Sequence, residues 1–217
     1  MPVTSVIWDL DGTLLDTLGD LAASTNAALA SLGLPQRSID EVRAFVGNGV
    51  AKLMERAVPK DAAPEIRAAA LEAFIAHYAQ HSADTTAPYP GVMQMLDELG
   101  ARGIKMAVVS NKIDFAVKAL CARYFGDRLS VCVGDDPARR KKPAPDNVFE
   151  AMRMLGAVPE ETVYIGDSEV DVETAKNAGL ACMAVSWGFR TEECLRAAGA
   201  ERIYAAPQAL LDALEGM

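Results

Sequence analysis

The 217-residue chain is 51% hydrophobic and 24% charged, which excludes wholesale disorder and suits one large or two modest domains. Its 30 acidic against 21 basic residues give a formal charge of -9, which repels nucleic-acid phosphates and anionic lipid, so neither is an expected partner. No apolar run approaches the roughly 18 residues of a membrane span, the N-terminus lacks a signal-peptide pattern, and Cys121, Cys132, Cys182 and Cys194 form no Cys-x-x-Cys pair, all of which points to the cytoplasm.

In chain order, Val6-Ile7-Trp8 reads as the first strand. Residues 17–32, 38–45, 49–57 and 64–79 then carry helical patterning, rich in Ala and without a convincing strand. Ser38 with Glu41 makes a capping box, and Gly33 and Pro35 separate the first two helices. From about Gly91 the rhythm changes. Helices over 91–101, 114–122, 146–155 and 169–178 alternate with buried strands over 104–109, 131–133, 162–165 and 181–185. That alternation predicts a Rossmann-like α/β core, a mostly parallel sheet with helices on both faces. The expected division is 1–14 with 85–217 for this core, and 15–84 for a small all-helical domain inserted after the first strand. Leu14-Leu15-Asp16-Thr17 and residues 83–88 have the composition of hinges.

Ligands bind open parallel sheets at the carboxyl ends of the strands. The first strand runs into Asp9-Leu10-Asp11-Gly12-Thr13, where a turn through Gly12 can face both carboxylates to one site. The strand at 104–109 ends in Ser110-Asn111, and that at 162–165 in Gly166-Asp167-Ser168, with Asp171 one helical turn on. Between them lies Arg139-Arg140-Lys141-Lys142-Pro143-Ala144-Pro145. Taken singly, Asp9 and Asp11 could belong to a turn, Asp167 and Asp171 to a helix start, and the basic run to a solvated loop. Converging on one crevice, the carboxylates tolerate one another only with a proton or cation among them. Hard oxygen ligands suit Mg²⁺, which keeps waters and binds substrate phosphate. Lysine and hydroxyls supply charge and donors for transferring oxygens, and an aspartate can attack phosphorus. His77 and His81, at i and i+4, have no third metal ligand nearby and read as a surface pair. Gly47-Asn48-Gly49 reads equally as a helix–helix turn or as a loop lowering backbone N–H groups onto a ligand.

In order, Asp9-Leu10-Asp11-Gly12-Thr13-Leu14, Ser110-Asn111, Lys142-Pro143-x-Pro145 and Gly166-Asp167-Ser168-x-x-Asp171 resemble the four motifs of the haloacid dehalogenase superfamily. The helical insertion is similar to that superfamily's small cap. Within it the chain most resembles the phosphoglycolate phosphatases, through Asp20-Leu21-Ala22-Ala23, Asn26-Ala27-Ala28-Leu29, Val46-Gly47-Asn48-Gly49 and Tyr89-Pro90-Gly91-Val92. The resemblance implies a Mg²⁺-dependent phosphatase acting on a small phosphomonoester. Asp9 would be the nucleophile that forms an aspartyl-phosphate, and Asp11 the acid/base. Mg²⁺ would be held by Asp9, the backbone carbonyl of Asp11 and Asp167, with Asp171 a ligand or ordering the metal's waters. Thr13, Ser110, Asn111 and Lys142 would bind phosphate, Thr13 also orienting Asp9, while Gly47, Asn48 and Gly49 would face substrate from the cap. A phosphosugar mutase, a pyrophosphatase or a nucleotidase would share these motifs. A receiver-type signalling module would be shorter and lack the insertion. Monomer and homodimer are both open.

Overall fold

A computed structural model describes residues 2–216. The chain divides into two compact units, one made of Met1–Leu15 with Pro88–Met217 and the other of Asp16–Ala87.

The first unit is built on β1 (Ser5–Trp8), whose four residues are all buried. β4 (Lys105–Ile113) and β6 (Thr162–Gly166) pair with it on either side, in parallel. β5 (Val131–Asp135), β7 (Ala181–Val185) and β8 (Ile203–Tyr204) extend the sheet to six strands in the order β5-β4-β1-β6-β7-β8. Central strands of a sheet covered on both faces must be apolar throughout, which is why they read as short continuous runs rather than alternating ones. Ile7, Ala107, Val109 and Tyr164 pack against Val148, Ala151 and Met152 of α7 (Asp146–Leu155) and Ala175 of α8 (Glu169–Ala178). Val6, Trp8, Met106 and Val108 alternate to the opposite face and are equally buried. α5 (Val92–Ala101) packs with the C-terminal α10 (Pro207–Glu215), and α6 (Asp114–Tyr124) packs on β4 and β5. α9 (Glu192–Ala197) follows β7, with its Leu195 buried against Val172 and Ala184. The strand expected over 104–109 runs on to Ile113, with its pairing to β5 shifted between Val109 and Ile113. That irregular end carries Ser110, Asn111 and Lys112.

The second unit contains α1 (Leu18–Ser31), α2 (Ile39–Phe45), α3 (Val50–Ala57) and α4 (Pro64–His81). The chain enters it through β2 (Leu15–Asp16) and leaves through β3 (Ala87–Pro88), two short strands that form a separate two-stranded sheet. The Ser38–Glu41 capping box forms at the start of α2, Glu41 N–H donating to Ser38 Oγ at 3.2 Å and Ser38 N–H to Glu41 Oε2 at 2.8 Å.

This unit runs to Ala87, beyond the expected boundary at 84, and Asp20 is the reason. Its buried carboxylate accepts the backbone N–H and hydroxyl of both Thr85 and Thr86, at 2.6 to 3.2 Å, tying that segment to the first turn of α1. Burial alone would push the Asp20 carboxyl up, but these donors outweigh it and hold the group below its usual value. A lowered carboxyl contributes stability at neutral pH that is lost as pH falls through the lowered value. Asp20→Ala strands the buried N–H and hydroxyl of Thr86, while those of exposed Thr85 can turn to water, and is expected to destabilise the protein by about 1–3 kcal/mol. In thermal melts the gap between wild type and variant should be full at pH 7 and narrow in acid.

Candidate active site

At the carboxyl end of β1, Asp9 N–H donates to the Ile165 carbonyl at 2.8 Å, which seats the side chain over the sheet between β1 and β6. The next residues fold into a tight flap: Thr13, Leu14 and Leu15 all direct their N–H groups at the Leu10 carbonyl, and Gly12 N–H donates to Leu15 O. Gly12 has a φ of 89°, and a Cβ there would be driven into the Asp167 carboxylate, so both backbone and space demand glycine.

The carboxylates of Asp9, Asp167 and Asp171 each place an oxygen within 4.8 Å of the others, and all three residues are buried. One ammonium stands among them. Lys142 Nζ donates to Asp9 Oδ1 and Asp171 Oδ1, both at 2.8 Å, and to Tyr164 Oη at 3.0 Å. Three carboxylates against one lysine leave the cluster two positive charges short. The deficit raises two of the carboxyl groups. Burial and then the charge of Asp171 push the Asp9 carboxyl up to about 7, against the pull of Lys142. Burial, then Asp171 and Asp9, push Asp167 well above its usual range. Lys142 stays firmly protonated: burial disfavours its charge, but Asp171 and Asp9 more than compensate.

The three acids have different remaining capacity. Asp171 is saturated, with Oδ1 taking Lys142 and the Tyr164 hydroxyl at 3.0 Å, and Oδ2 taking Ser168 N–H and Oγ–H at 3.1 and 2.6 Å. Its carboxylate orders Lys142 and the start of α8, with each oxygen already accepting two donors. Asp167 accepts the Thr13 hydroxyl on Oδ1 at 3.2 Å and Phe189 N–H on Oδ2 at 2.7 Å, one donor per oxygen. Asp9 uses only Oδ1, and no donor takes Oδ2 among the described residues. Hard oxygen atoms, burial and a two-charge deficit fit a divalent cation on Asp9 and Asp167.

The other expected residues have visible protein partners. Thr13, expected to orient Asp9 and touch phosphate, is fully buried and its hydroxyl donates to Asp167. Asn111, expected on phosphate, clamps the backbone of Lys142 with its amide, donating to the carbonyl at 3.0 Å and accepting the N–H at 2.8 Å. It therefore sets the loop that aims Lys142, ahead of the cis Lys142-Pro143 bond. Asp11 lies outside the carboxylate cluster, since its side chain pairs with Lys112. Ser110 Oγ accepts Lys112 N–H at 3.2 Å and is buried at the same strand end. The rest of the basic run is neutralised locally: Arg139 by Asp136, Arg140 by Asp146 and Lys141 by Asp135. Only Lys142 turns inward.

Gly47, Asn48 and Gly49 belong to the helical unit, where Asn48 Oδ1 accepts from Arg56 at 2.8 Å and the same guanidinium donates to Phe45 O. His77 and His81 stack at 4.2 Å between ring centroids, each with its own partner, Ser24 and Asp84.

Sequence reading passed over Lys112, Tyr164 and the loop 186–190. Lys112 directly follows Ser110-Asn111 on β4 and could have been included by position alone. Tyr164, a polar tip inside an apolar strand, carried a faint signal. The loop carried none, because it acts through its backbone: Phe189 N–H on Asp167, and Gly188 where a Cβ would strike Gly12 O and Asp167. Trp187 Nε1–H donates to Thr13 O at 2.9 Å and braces the flap.

Comparison with known proteins agrees with this geometry. Residues 6–185 match the family model of haloacid dehalogenase-like hydrolases. A phosphoglycolate phosphatase of Pseudomonas syringae pv. syringae is 39% identical over 193 residues, covering 85% of this chain and 70% of that one. A phosphoglycolate phosphatase of Aquifex aeolicus is 35% identical over 185 residues, covering 85% of both. A crystal structure from Lactobacillus delbrueckii subsp. bulgaricus superposes with a TM-score of 0.94 at 32% identity, covering 99% of each chain. CbbY from Rhodobacter sphaeroides, in complex with phosphate, superposes at 0.76 with 30% identity over 96% of each chain. With its acids at the ends of β1 and β6, its lysine between them and residues 6–185 matched by the family model, the chain belongs to the haloacid dehalogenase-like hydrolases.

Proposed function

We propose that this protein is a Mg²⁺-dependent phosphatase of a small phosphomonoester, working through an aspartyl-phosphate on Asp9, with 2-phosphoglycolate the first substrate to try. The observation that carries the proposal is the buried trio of Asp9, Asp167 and Asp171 around one lysine. Relatives named phosphoglycolate phosphatase, at 35–39% identity, support the substrate class.

Mg²⁺ would be held by Asp9 and Asp167 with the backbone carbonyl of Asp11, and when bound it supplies the missing positive charge for a phosphate dianion to approach. Lys142 anchors Asp9 through Oδ1, so the nucleophilic carboxylate is held in one rotamer. All three donors of Lys142 are engaged by protein, so it acts on the transferring oxygens by charge. Asp11 would give a proton to the leaving oxygen and later take one from the attacking water. Asp171, Ser168 and Tyr164 hold this frame rigid. The protein would work in the cytoplasm, as a monomer or homodimer, without nucleic-acid or membrane partners; no helix among the described residues is long and apolar enough to cross a membrane.

Removing the metal tests the chemistry. Turnover of 2-phosphoglycolate should vanish in excess EDTA and return on adding Mg²⁺, since phosphate cannot join an already under-compensated acidic cluster. Undiminished turnover in EDTA, with no tightly held metal by elemental analysis, would overturn it. A panel of small phosphoesters, ranked by kcat/KM from phosphate release, tests the substrate class. Formation of an isomerised sugar phosphate without free phosphate would favour a mutase.

A further inference from the structure

Lys112 has no part in the chemistry above, yet it is buried beside a residue that does. Its side chain is 2% exposed, at the irregular end of β4. Nζ meets both oxygens of Asp11, at 2.8 Å to Oδ1 and 2.9 Å to Oδ2. The second torsion of an aspartate is intrinsically broad, so a lone carboxylate on a turn would swing through many orientations. One ammonium gripping both oxygens fixes the carboxylate's plane as well as its direction.

Lys112 is itself anchored. Its N–H donates to Ser110 Oγ at 3.2 Å, and the adjacent Asn111 is clamped to the backbone of Lys142. Because Lys142 in turn grips Asp9, the end of β4 sets the relative placement of two aspartates from opposite sides, Asp9 through the Asn111–Lys142 link and Asp11 through Lys112. Burying an ammonium is costly wherever it occurs, and here the cost falls on the residue that faces Asp11.

We propose that Lys112 is a positioning residue, which holds the Asp11 carboxyl group at the angle from which, protonated, it gives its proton to the leaving oxygen and, then ionised, takes one back from the attacking water. The proposal rests on the acid/base reading of Asp11. It concerns placement, so its signature is dependence on the leaving group. An alkyl phosphate needs a proton on its departing oxygen and 4-nitrophenyl phosphate does not. The parameter kcat/KM covers the steps up to departure of the alcohol and excludes hydrolysis of the intermediate.

The experiment measures kcat/KM at saturating Mg²⁺ for 2-phosphoglycolate and 4-nitrophenyl phosphate in wild type, D11N, K112M, K112R and the D11N/K112M double variant. D11N should lose about 10²- to 10³-fold on the alkyl ester and far less on the aryl ester. K112M should show the same asymmetry, about tenfold or more on the alkyl ester, carried mainly in kcat, with K112R recovering part of it. The double variant should be no slower on the alkyl ester than D11N alone, because misplacing an absent acid costs nothing further. An equal loss on both esters in K112M, or losses that multiply in the double variant, would overturn the positioning role and leave a merely structural ion pair. If D11N is itself indifferent to the leaving group, the acid/base reading fails and the positioning role falls with it. Should K112M not fold, K112Q and K112R carry the same comparison.

Discussion

Asp9→Asn is expected to lower kcat/KM for 2-phosphoglycolate by about 10⁴- to 10⁶-fold, the scale on which loss of an enzymatic nucleophile is felt. The substitution is isosteric and keeps an oxygen that can face Lys142, so the fold should survive. What disappears is the charge that attacks phosphorus and, on the proposed reading, a ligand of the cation. The raised carboxyl of Asp9 sharpens the expectation. A group lifted to about 7 by burial and by Asp171 is destabilised as an anion, and it becomes a competent nucleophile only where positive charge offsets those terms. Phosphate release by the purified variant, with circular dichroism to confirm its fold, checks the result. Turnover near the wild-type level would remove Asp9 from the mechanism.

Lys142→Met should be the second most damaging change, and its neighbour supplies the control. Lys142 is 3% exposed at its side chain and is, among the described residues, the only cation gripping Asp9 and Asp171, so removing it leaves both acids buried against one another. Breaking a buried pair in this way costs about 3–5 kcal/mol of stability. Loss of a charge aimed at the transferring oxygens should lower kcat/KM by about 10²- to 10³-fold. Lys141 pairs with Asp135 at 2.7 Å, with its own side chain 40% exposed. Lys141→Met should cost no more than about 1 kcal/mol and leave kcat/KM near wild type. Thermal melts and phosphate release on the two variants side by side decide it. Equal effects would reduce the run from Arg139 to Lys142 to a solvated basic loop.

The core strands and the acids at their ends were legible in the sequence by itself. A strand buried on both faces must be locally apolar, so β1, β4, β5, β6 and β7 announced themselves without reference to their neighbours. Asp9, Asp167 and Asp171 follow directly from where β1 and β6 stop, and Lys142 from the prolines that order its loop. β8 and the loop 186–190 did not show, the first because two half-buried residues make too short a pattern, the second because its contribution is a backbone N–H.

Which donor meets which acceptor was decided only by the tertiary structure. The order β5-β4-β1-β6-β7-β8 sets Thr13 beside Asp167, Lys112 beside Asp11 and Asn111 beside Lys142, across separations of 154, 101 and 31 residues. Hydrogen bonds are directional and fail within a fraction of an ångström, whereas sequence spacing specifies only the strand end on which a side chain stands. Composition could therefore assemble the right chemical groups around one crevice. The separation of Asp171, saturated by four donors, from Asp9, with an oxygen to spare, required the packed sheet.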